Sequence, residues 1–345
     1  MKTIQELVRK NISSLKPYSS ARDEYKELSD GMIFLDANEN PFDNGVNRYP
    51  DPQQTTVKLE LSKIKNIPTN QILLGNGSDE VLDLIFRAFC EPGKDNIISL
   101  PPTYGMYSVL ANINNIEIFN VLLNDKFQPD VEGILKVATN NSKLLFLCSP
   151  NNPTGNSFDN SQVETLLKSF DGLVVIDEAY IDFSSENSWL DRLDEFPNLI
   201  VTQTLSKAYG MAGIRLGVCY ASEEVIAILN KIKPPYNVNE LTQQKALVGL
   251  LNQDKVRKEI EIILEERNLL IAKLHTISFI EKVYPTSANF VLVKVDDGTK
   301  RYSQLIAKGI VIRNRSSQPL CDNTLRFTVG TTNENIKLIK ALNEI

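Results

Sequence analysis

The chain alternates helical and strand-like hydrophobic patterns from about residue 54 onward, and this alternation constrains its fold more than any other feature. Short apolar runs of strand length recur at residues 72–75, 97–100, 144–148, 173–176, 199–202 and 216–220. Continuous apolar runs are typical of strands buried on both faces, and the helices between them supply the crossover connections of a parallel sheet. The pattern therefore predicts the α/β class, with a mostly parallel sheet covered by helices.

The pattern changes after residue 236, which indicates a second, smaller α+β unit. Long helices are predicted over residues 239–251 and 254–274, and strand-like runs follow at 290–295, 309–313 and 325–329. Near the start, helical spacing from Ile4 to Leu15 predicts an amphipathic helix, and a short strand is predicted over 32–36. The expected parts are an N-terminal helix and segment joining the small domain (1–45), a large domain (46–238), and linking helices with a small C-terminal domain (239–345).

Composition and charge exclude several classes of function. A net charge of -6 and the lack of a basic stripe argue against nucleic-acid binding, so small molecules are the expected partners. The single histidine, His275, argues against hydrolases that need a histidine base and against metal sites built from several histidines. We find no signal-peptide or membrane-span pattern, and four scattered cysteines fit a reducing compartment. The expectation is a cytoplasmic protein without a metal.

Lys207 lies where an apolar run gives way to a loop rich in small residues. Desolvation among such neighbours lowers the pKa of an amine, which is the condition for nucleophilic attack on an aldehyde. Arg215, Thr204 and Ser206 supply a cation and hydroxyls that suit a phosphate monoester. An aldehyde and a phosphate together indicate pyridoxal 5'-phosphate as the cofactor. The alternative for this stretch alone is a solvated loop lysine with a structural arginine.

Further polar segments follow other strand-like runs, at the edge where open α/β sheets bind ligands. Asp177 comes directly after an apolar run and needs a cation, for which a protonated pyridine nitrogen would serve. Tyr180 could direct its phenol toward the 3-oxygen of such a ring. Residues 149–155 follow the run at 144–148, and residues 76–80 begin a helix whose free N–H groups suit an anion. A proline-glycine turn at 149–155 and a simple cap at 177–180 are the alternatives.

The order of these motifs resembles a known family. S-P-N-N-P-T-G, V-V-I-D-E-A-Y and T-L-S-K-A-Y-G-M-A-G-I-R-L-G look like the fold type I pyridoxal-phosphate aminotransferases, and the resemblance covers nearly the whole chain. Within that superfamily, A-N-E-N-P, R-Y-P, P-P-T-Y-G-M-Y and D-E-A-Y-I-D-F are most similar to the histidinol-phosphate aminotransferases. The resemblance implies transfer of an amino group between L-histidinol phosphate and 2-oxoglutarate, in histidine biosynthesis.

The resemblance also implies a role for each matching residue. Lys207 would bind the aldehyde and move the Cα proton, Asp177 would hold the ring nitrogen, and Tyr180 would bind the 3-oxygen. The implied cofactor contacts are Gly77, Ser78, Asp79, Tyr104, Asn152, Asp177, Tyr180, Thr204, Ser206, Lys207, Arg215 and, from the second subunit of a homodimer, Tyr49. The implied substrate contacts are Tyr18, Asn38, Asn289, Arg313 and Arg326. Arg326 would grip either the carboxylate of glutamate or the phosphate of histidinol phosphate.

Other functions stay open at this point. An aromatic amino acid aminotransferase and a threonine-phosphate decarboxylase would share the cofactor residues and differ in a few substrate contacts. A non-catalytic binding protein that kept the fold is a more distant alternative, and a colourless protein would favour it.

Overall fold

The computed structural model describes residues 2–17 and 33–345. Its strands are β1 (Ile72–Asn76), β2 (Asn96–Ser99), β3 (Glu117–Asn120), β4 (Ser142–Cys148), β5 (Leu173–Asp177), β6 (Leu199–Thr204), β7 (Leu216–Ala221), β8 (Ile280–Val283), β9 (Phe290–Val295), β10 (Arg313–Asn314) and β11 (Thr324–Thr328). Its α-helices are α1 (Ile4–Leu7), α2 (Lys10–Ser13), α3 (Thr55–Lys65), α4 (Ser78–Phe89), α5 (Met106–Ile113), α6 (Val131–Val137), α7 (Asn160–Ser169), α8 (Glu223–Ile232), α9 (Glu240–Leu250), α10 (Gln253–Leu274), α11 (Gly298–Ala307) and α12 (Thr332–Asn343).

The larger sheet has seven strands in the order β1-β7-β6-β5-β4-β2-β3. Strand β7 is antiparallel to both of its neighbours, and every other adjacent pair is parallel. The predicted mostly parallel sheet is therefore confirmed. Because β1 and β6 are both antiparallel to β7, they run in the same direction. The carboxyl ends of β1, β4, β5 and β6 consequently meet at one edge of the sheet.

Both faces of this sheet are buried, which explains the continuous apolar runs. Along β4, Leu145 and Leu147 pack into one core, while Leu144 and Phe146 pack into the core on the opposite face. Successive side chains of a strand point to opposite faces. In a strand covered on both sides every position is therefore buried, which favours apolar residues throughout. Burial of each such side chain contributes about 1.5–3 kcal/mol to the free energy of folding.

A second sheet lies in the C-terminal part, with antiparallel strands in the order β10-β11-β9-β8. One face of this sheet packs with residues of α10, α11 and α12 into a separate core. A small apolar cluster, which includes Tyr180, Ala208 and Phe290, joins the two parts beside the candidate site. The domain boundaries at residues 46 and 239 remain predictions.

The N-terminal helix differs from the expectation. It is divided into α1 and α2, because the backbone is extended at Val8 and Arg9, and the Arg9 N–H donates to the Ala88 carbonyl at 3.0 Å. Its apolar residues, among them Ile4 and Leu7, pack with α4 and α8 of the large sheet. These helix residues therefore lie against the large sheet, and the assignment of residues 1–45 as a segment that joins the small domain remains a prediction.

Two strand predictions also need correction, and two strands were not predicted. Residues 33–36 form no strand, and Ile33 and Leu35 are exposed there. The run at 309–313 shortens to β10, since Gly309 begins it in a left-handed turn with a φ of 77°. Strands β3 and β8 were not predicted, because they lie at sheet edges where polar residues interrupt the apolar pattern. In the ranges 2–17 and 33–345, no helix combines the length and the apolar character needed to span a bilayer.

Candidate active site

A cleft opens at the edge of the large sheet where the strand carboxyl ends meet. Its lining comes from the ends of β4, β5 and β6 and from the segments that follow β1, β2, β4, β5 and β6, and consists of Ser78, Asp79, Tyr104, Cys148, Asn152, Asp177, Ala179, Tyr180, Thr204, Ser206, Lys207, Ala212 and Arg215. Every residue predicted to contact a cofactor lines this cleft except Gly77 and Tyr49. Gly77 lies immediately beside it, since a Cβ added there would meet Arg215 Nη2 at 2.6 Å.

Lys207 lies at the mouth of the cleft, three residues after β6 ends. Its carbonyl accepts the Gly210 N–H, and Gly210 closes that turn with a φ of 64°. The Lys207 Nζ lies 5.8 Å from the centre of the Tyr180 ring. Partial burial lowers the pKa of the Lys207 amine, and the Arg326 cation lowers it further. The amine remains accessible from the cleft and is more often neutral than that of a free lysine, as a nucleophile toward an aldehyde requires.

Asp177 ends β5 and is 4% exposed. The Tyr107 hydroxyl donates to its Oδ2 at 2.8 Å, and the Ala179 N–H donates to its Oδ1 at 3.2 Å. Burial raises the pKa of the Asp177 carboxyl, and these hydrogen bonds oppose that shift. Within the described residues Asp177 forms no ion pair, so a buried carboxylate at the floor of the cleft lacks a cation. A protonated ring nitrogen would supply that cation.

The start of α4 forms a cradle for an anion. Gly77 precedes α4 with a φ of 80° and a ψ of 165°, a region that residues with a side chain avoid, and Ser78 and Asp79 of the first turn of α4 line the cleft. Arg215 Nη2 lies 3.6 Å from Asp79 Oδ2 on the same side. The hydroxyls of Thr204 and Ser206, which line the same cleft, lie 3.0 Å apart. Cation, hydroxyls and helix N-terminus together suit a phosphate monoester.

Asn152 connects this cleft to the small domain. Its Nδ2 donates to the Tyr180 hydroxyl at 3.3 Å, and its Oδ1 accepts from Arg326 Nη1 at 2.5 Å. The loop that carries Asn152 is held by Asn151, whose Nδ2 donates to the Pro102 carbonyl and to Thr154 Oγ1. A ligand that touches Tyr180 can therefore reach Arg326 within the same site.

Three arginines share one face of the small sheet. Arg313 pairs with Arg326 across β10 and β11, and the Arg315 N–H continues that ladder to the Thr324 carbonyl. Alternate residues of a strand share a face, so all three side chains lie on the same side. Burial lowers the pKa of Arg326 to about 10, and the Arg315 cation contributes to this shift. None of the three forms an ion pair in the part of the chain that is described. This surface of Arg313, Arg315 and Arg326, called the arginine face, can therefore accept an anion.

Asn289, Asn38 and Tyr49 are not among the residues that line the cofactor cleft. Asn289 precedes β9 and bonds the Val329 N–H through its carbonyl at 2.9 Å. Asn38 and Tyr49 line a second cleft with Leu241, and Tyr49 stacks on Tyr236 with 4.6 Å between ring centres. The structure therefore does not bring Asn38 or Tyr49 to Lys207 within one chain. Tyr18 lies outside the described residues.

Two residues of interest were missed at the sequence level. Tyr107 is the last residue of P-P-T-Y-G-M-Y, and its place in that motif was the signal in the sequence, since its contact with Asp177 spans 70 residues. Arg315 stands two positions after Arg313, which is the strand spacing for a shared face. The signal for Arg315 becomes informative only once the element type is known.

Comparison with known proteins identifies the family to which the chain belongs. The family model for aminotransferase class I and II matches residues 34–342. The chain belongs to this family. A histidinol-phosphate aminotransferase from Flavobacterium johnsoniae is 66% identical to it over 340 residues, which are 98% of this chain and 97% of the relative. The resemblance drawn from the motifs is thereby confirmed.

Solved structures agree with the fold assignment. The histidinol-phosphate aminotransferase from Clostridium acetobutylicum superposes with a TM-score of 0.80 at 25% identity, covering 87% of this chain and 90% of that one. The histidinol-phosphate aminotransferase from Sinorhizobium meliloti, solved in complex with pyridoxal-5'-phosphate, has a TM-score of 0.78 at 24% identity, covering 86% of this chain and 82% of that one. This class I and II aminotransferase therefore has the predicted fold type I architecture.

Proposed function

We propose that this class I and II aminotransferase uses pyridoxal 5'-phosphate to move an amino group between L-histidinol phosphate and 2-oxoglutarate, giving imidazole acetol phosphate and L-glutamate. The reaction belongs to histidine biosynthesis. One observation carries the proposal: Asn152 contacts both Tyr180 in the cofactor cleft and Arg326 on the arginine face. The identity of 66% to a histidinol-phosphate aminotransferase supports the choice of substrate.

The residues of the cleft fit the cofactor. Asp177 is a buried carboxylate in need of a cation, the start of α4 with Arg215 suits a phosphate, and Lys207 offers an accessible amine of lowered pKa. Bound pyridoxal phosphate supplies an aldehyde that captures the amino group and a ring that accepts the electron pair left when the Cα proton departs. Asp177 would hold the ring nitrogen protonated. Tyr180 and Asn152 would bind the 3-oxygen, and Tyr104 would lie against the ring.

Lys207 and the phosphate contacts would have separate tasks. Lys207 would hold the cofactor aldehyde through its amine and, once the amino substrate occupies that position, would act as the general base that removes the substrate's Cα proton. The same amine would then deliver that proton to the cofactor. The phosphate contacts, from Gly77 to Asp79 with Thr204, Ser206 and Arg215, would keep the ring fixed during this proton transfer.

The arginine face would select the substrate's anion. A guanidinium fork binds a carboxylate or a phosphate through paired hydrogen bonds, so Arg326 can serve glutamate in one half-reaction and histidinol phosphate in the other. Arg313 and Arg315 add positive charge that favours the more highly charged phosphate. Asn289 remains a proposed contact of the amino substrate, as do Asn38 and Tyr18.

We also propose a homodimer in which Tyr49 reaches the phosphate of the other subunit's cofactor. Val46 is 52% exposed, Leu241 is 64% exposed and Tyr49 is 50% exposed, and all three line one cleft, which is an unusual apolar surface for a monomer. Glu39 fixes this segment, because its Oε1 accepts the Tyr49 N–H at 2.6 Å and its Oε2 accepts from Arg48 at 2.7 Å. A cytoplasmic location is supported by four free, buried cysteines.

The test is the complete reaction with the purified, cofactor-loaded protein. Incubation with L-histidinol phosphate and 2-oxoglutarate should form glutamate and imidazole acetol phosphate in equal amounts, with no carbon dioxide released. Phenylalanine should replace the donor only at much higher concentration. Carbon dioxide from threonine phosphate would instead identify a decarboxylase, and a preference for phenylalanine would identify an aromatic aminotransferase.

A further inference from the structure

A tyrosine beneath the cleft contacts the residue that would hold the cofactor ring. We propose that Tyr107 is a positioning residue, whose hydrogen bond keeps the Asp177 carboxylate ionised and oriented toward the ring nitrogen of bound pyridoxal phosphate. The inference rests on the proposed cofactor use. Tyr107 does not line the cleft itself, so it would act only through Asp177.

The geometry of the pair is well defined. The Tyr107 hydroxyl donates to Asp177 Oδ2 at 2.8 Å, and the two residues are 0% and 4% exposed. The Tyr107 ring stacks on Phe146 with 4.7 Å between centres and an interplanar angle of 16°. It also meets the edge of Tyr104 at 5.6 Å and 86°. These contacts fix the phenol, and its full burial keeps solvent away from the hydrogen bond to Asp177.

The electrostatic effect of this bond has a definite sign. Burial disfavours the charged form of Asp177, whereas a hydrogen bond to the carboxylate favours it. Loss of the Tyr107 hydroxyl would therefore raise the pKa of Asp177 further. The ionisable groups that face Asp177 from the surrounding elements are Asp79, Tyr104, Tyr107, Cys148, Tyr180 and Lys207. Among these, Lys207 favours the charged carboxylate and Asp79 opposes it.

The chain offers a matched control for removal of one buried hydroxyl. Tyr220 on β7 is also 0% exposed, but its hydroxyl has no hydrogen-bond partner among the described residues. Tyr107→Phe and Tyr220→Phe thus delete the same atom from the same degree of burial. Only the first deletion removes a donor from Asp177.

The experiment measures the dissociation constant of pyridoxal phosphate for the full-length protein as a function of pH, by cofactor absorbance. Binding through a ring nitrogen requires ionised Asp177, so affinity falls on the acid side as that carboxyl is protonated. In Tyr107→Phe, the pH range over which the affinity falls should lie about one pH unit higher than in the wild-type protein. This corresponds to about a tenfold weaker affinity in that range, while the affinity at higher pH should change little. Tyr220→Phe should reproduce the wild-type profile.

Four results would overturn the inference. If the affinity of Tyr107→Phe falls over the same pH range as that of the wild-type protein, the hydroxyl has no effect on Asp177. If the cofactor affinity is weakened equally at every pH, the hydroxyl is only structural. In an Asp177→Asn background, which cannot ionise, Tyr107→Phe should change affinity less than about twofold, and a tenfold change there would also refute it. Failure of the wild-type protein to bind pyridoxal phosphate at any pH would remove the proposed function and this inference together.

Discussion

Arg326→Ala removes the guanidinium that lies between the cofactor cleft and the arginine face. In the structure this group is half-buried, donates to Asn152 Oδ1, and lies 4.9 Å from the centre of the Phe290 ring. A paired contact to a substrate anion would add two charge-assisted hydrogen bonds at about 1.5–3 kcal/mol each. Because the site is partly open to solvent, we expect a net loss of about 2–4 kcal/mol, which is about 30- to 900-fold in affinity.

The assay follows the two half-reactions separately by cofactor absorbance. L-Histidinol phosphate is titrated into the pyridoxal form of the enzyme, and 2-oxoglutarate is titrated into the pyridoxamine form. Both half-saturating concentrations should rise in Arg326→Ala. Arg326→Lys keeps the charge but loses the fork, so it should recover only part of the affinity. Exposed Arg257 on α10 provides the control, and Arg257→Ala should match the wild-type protein.

This assay tests whether one arginine binds the anions of both substrates. If Arg326→Ala weakens histidinol phosphate and leaves 2-oxoglutarate unchanged, or the reverse, two separate anion sites exist and the reasoning is wrong.

Three further changes test other parts of the site. Lys207→Ala should slow turnover by about 100- to 10,000-fold through lost proton transfer while leaving thermal unfolding unchanged, and near-wild-type turnover would exclude Lys207 from the mechanism. Gly77→Ala brings a methyl group to 2.6 Å from Arg215 Nη2 at a φ of 80°, so cofactor affinity measured by dialysis should fall about tenfold or more, and unchanged retention would refute the phosphate cradle. Glu39→Gln removes a charged acceptor from the Tyr49 N–H and should weaken cofactor binding about tenfold in the dimer only, so an equal loss in a monomeric variant would argue against a contact across subunits.

Sequence patterns predicted the central sheet well because its strands are buried on both faces. The apolar runs at residues 144–148 and 173–176 lie within β4 and β5, and the polar residues that follow them meet at one edge. That is a consequence of parallel topology, in which residues distant in sequence share the carboxyl edge. The cofactor cleft could therefore be predicted from strand ends and residue chemistry alone.

The failures have a different physical origin. The break between α1 and α2 depends on a backbone hydrogen bond from Arg9 to Ala88, which helical periodicity cannot reveal. The surface on which α1 and α2 pack depends on the tertiary fold, which brings apolar residues of α4 and α8 next to them. Edge strand β3 is partly exposed, so it lacks the apolar run that marks the inner strands.

The substrate side was less predictable than the cofactor side. Arg315 joins the arginine face only through the register of β10 and β11, and one residue of slip would turn it away. Tyr107 reaches Asp177 from α5, a contact of long sequence separation that no motif spacing defines. Tyr49 stacks on Tyr236 within the chain, and its proposed role needs a second subunit.

The most direct test of the account is a comparison of amino donors in the first half-reaction. L-histidinol phosphate, phenylalanine, glutamate and threonine phosphate are each titrated into the pyridoxal-loaded enzyme while the cofactor absorbance is recorded. We expect histidinol phosphate to convert the cofactor to its pyridoxamine form at far lower concentration than phenylalanine, and 2-oxoglutarate to restore the original spectrum. A lower half-saturating concentration for phenylalanine, or release of carbon dioxide from threonine phosphate, would contradict the assignment of histidinol phosphate as substrate.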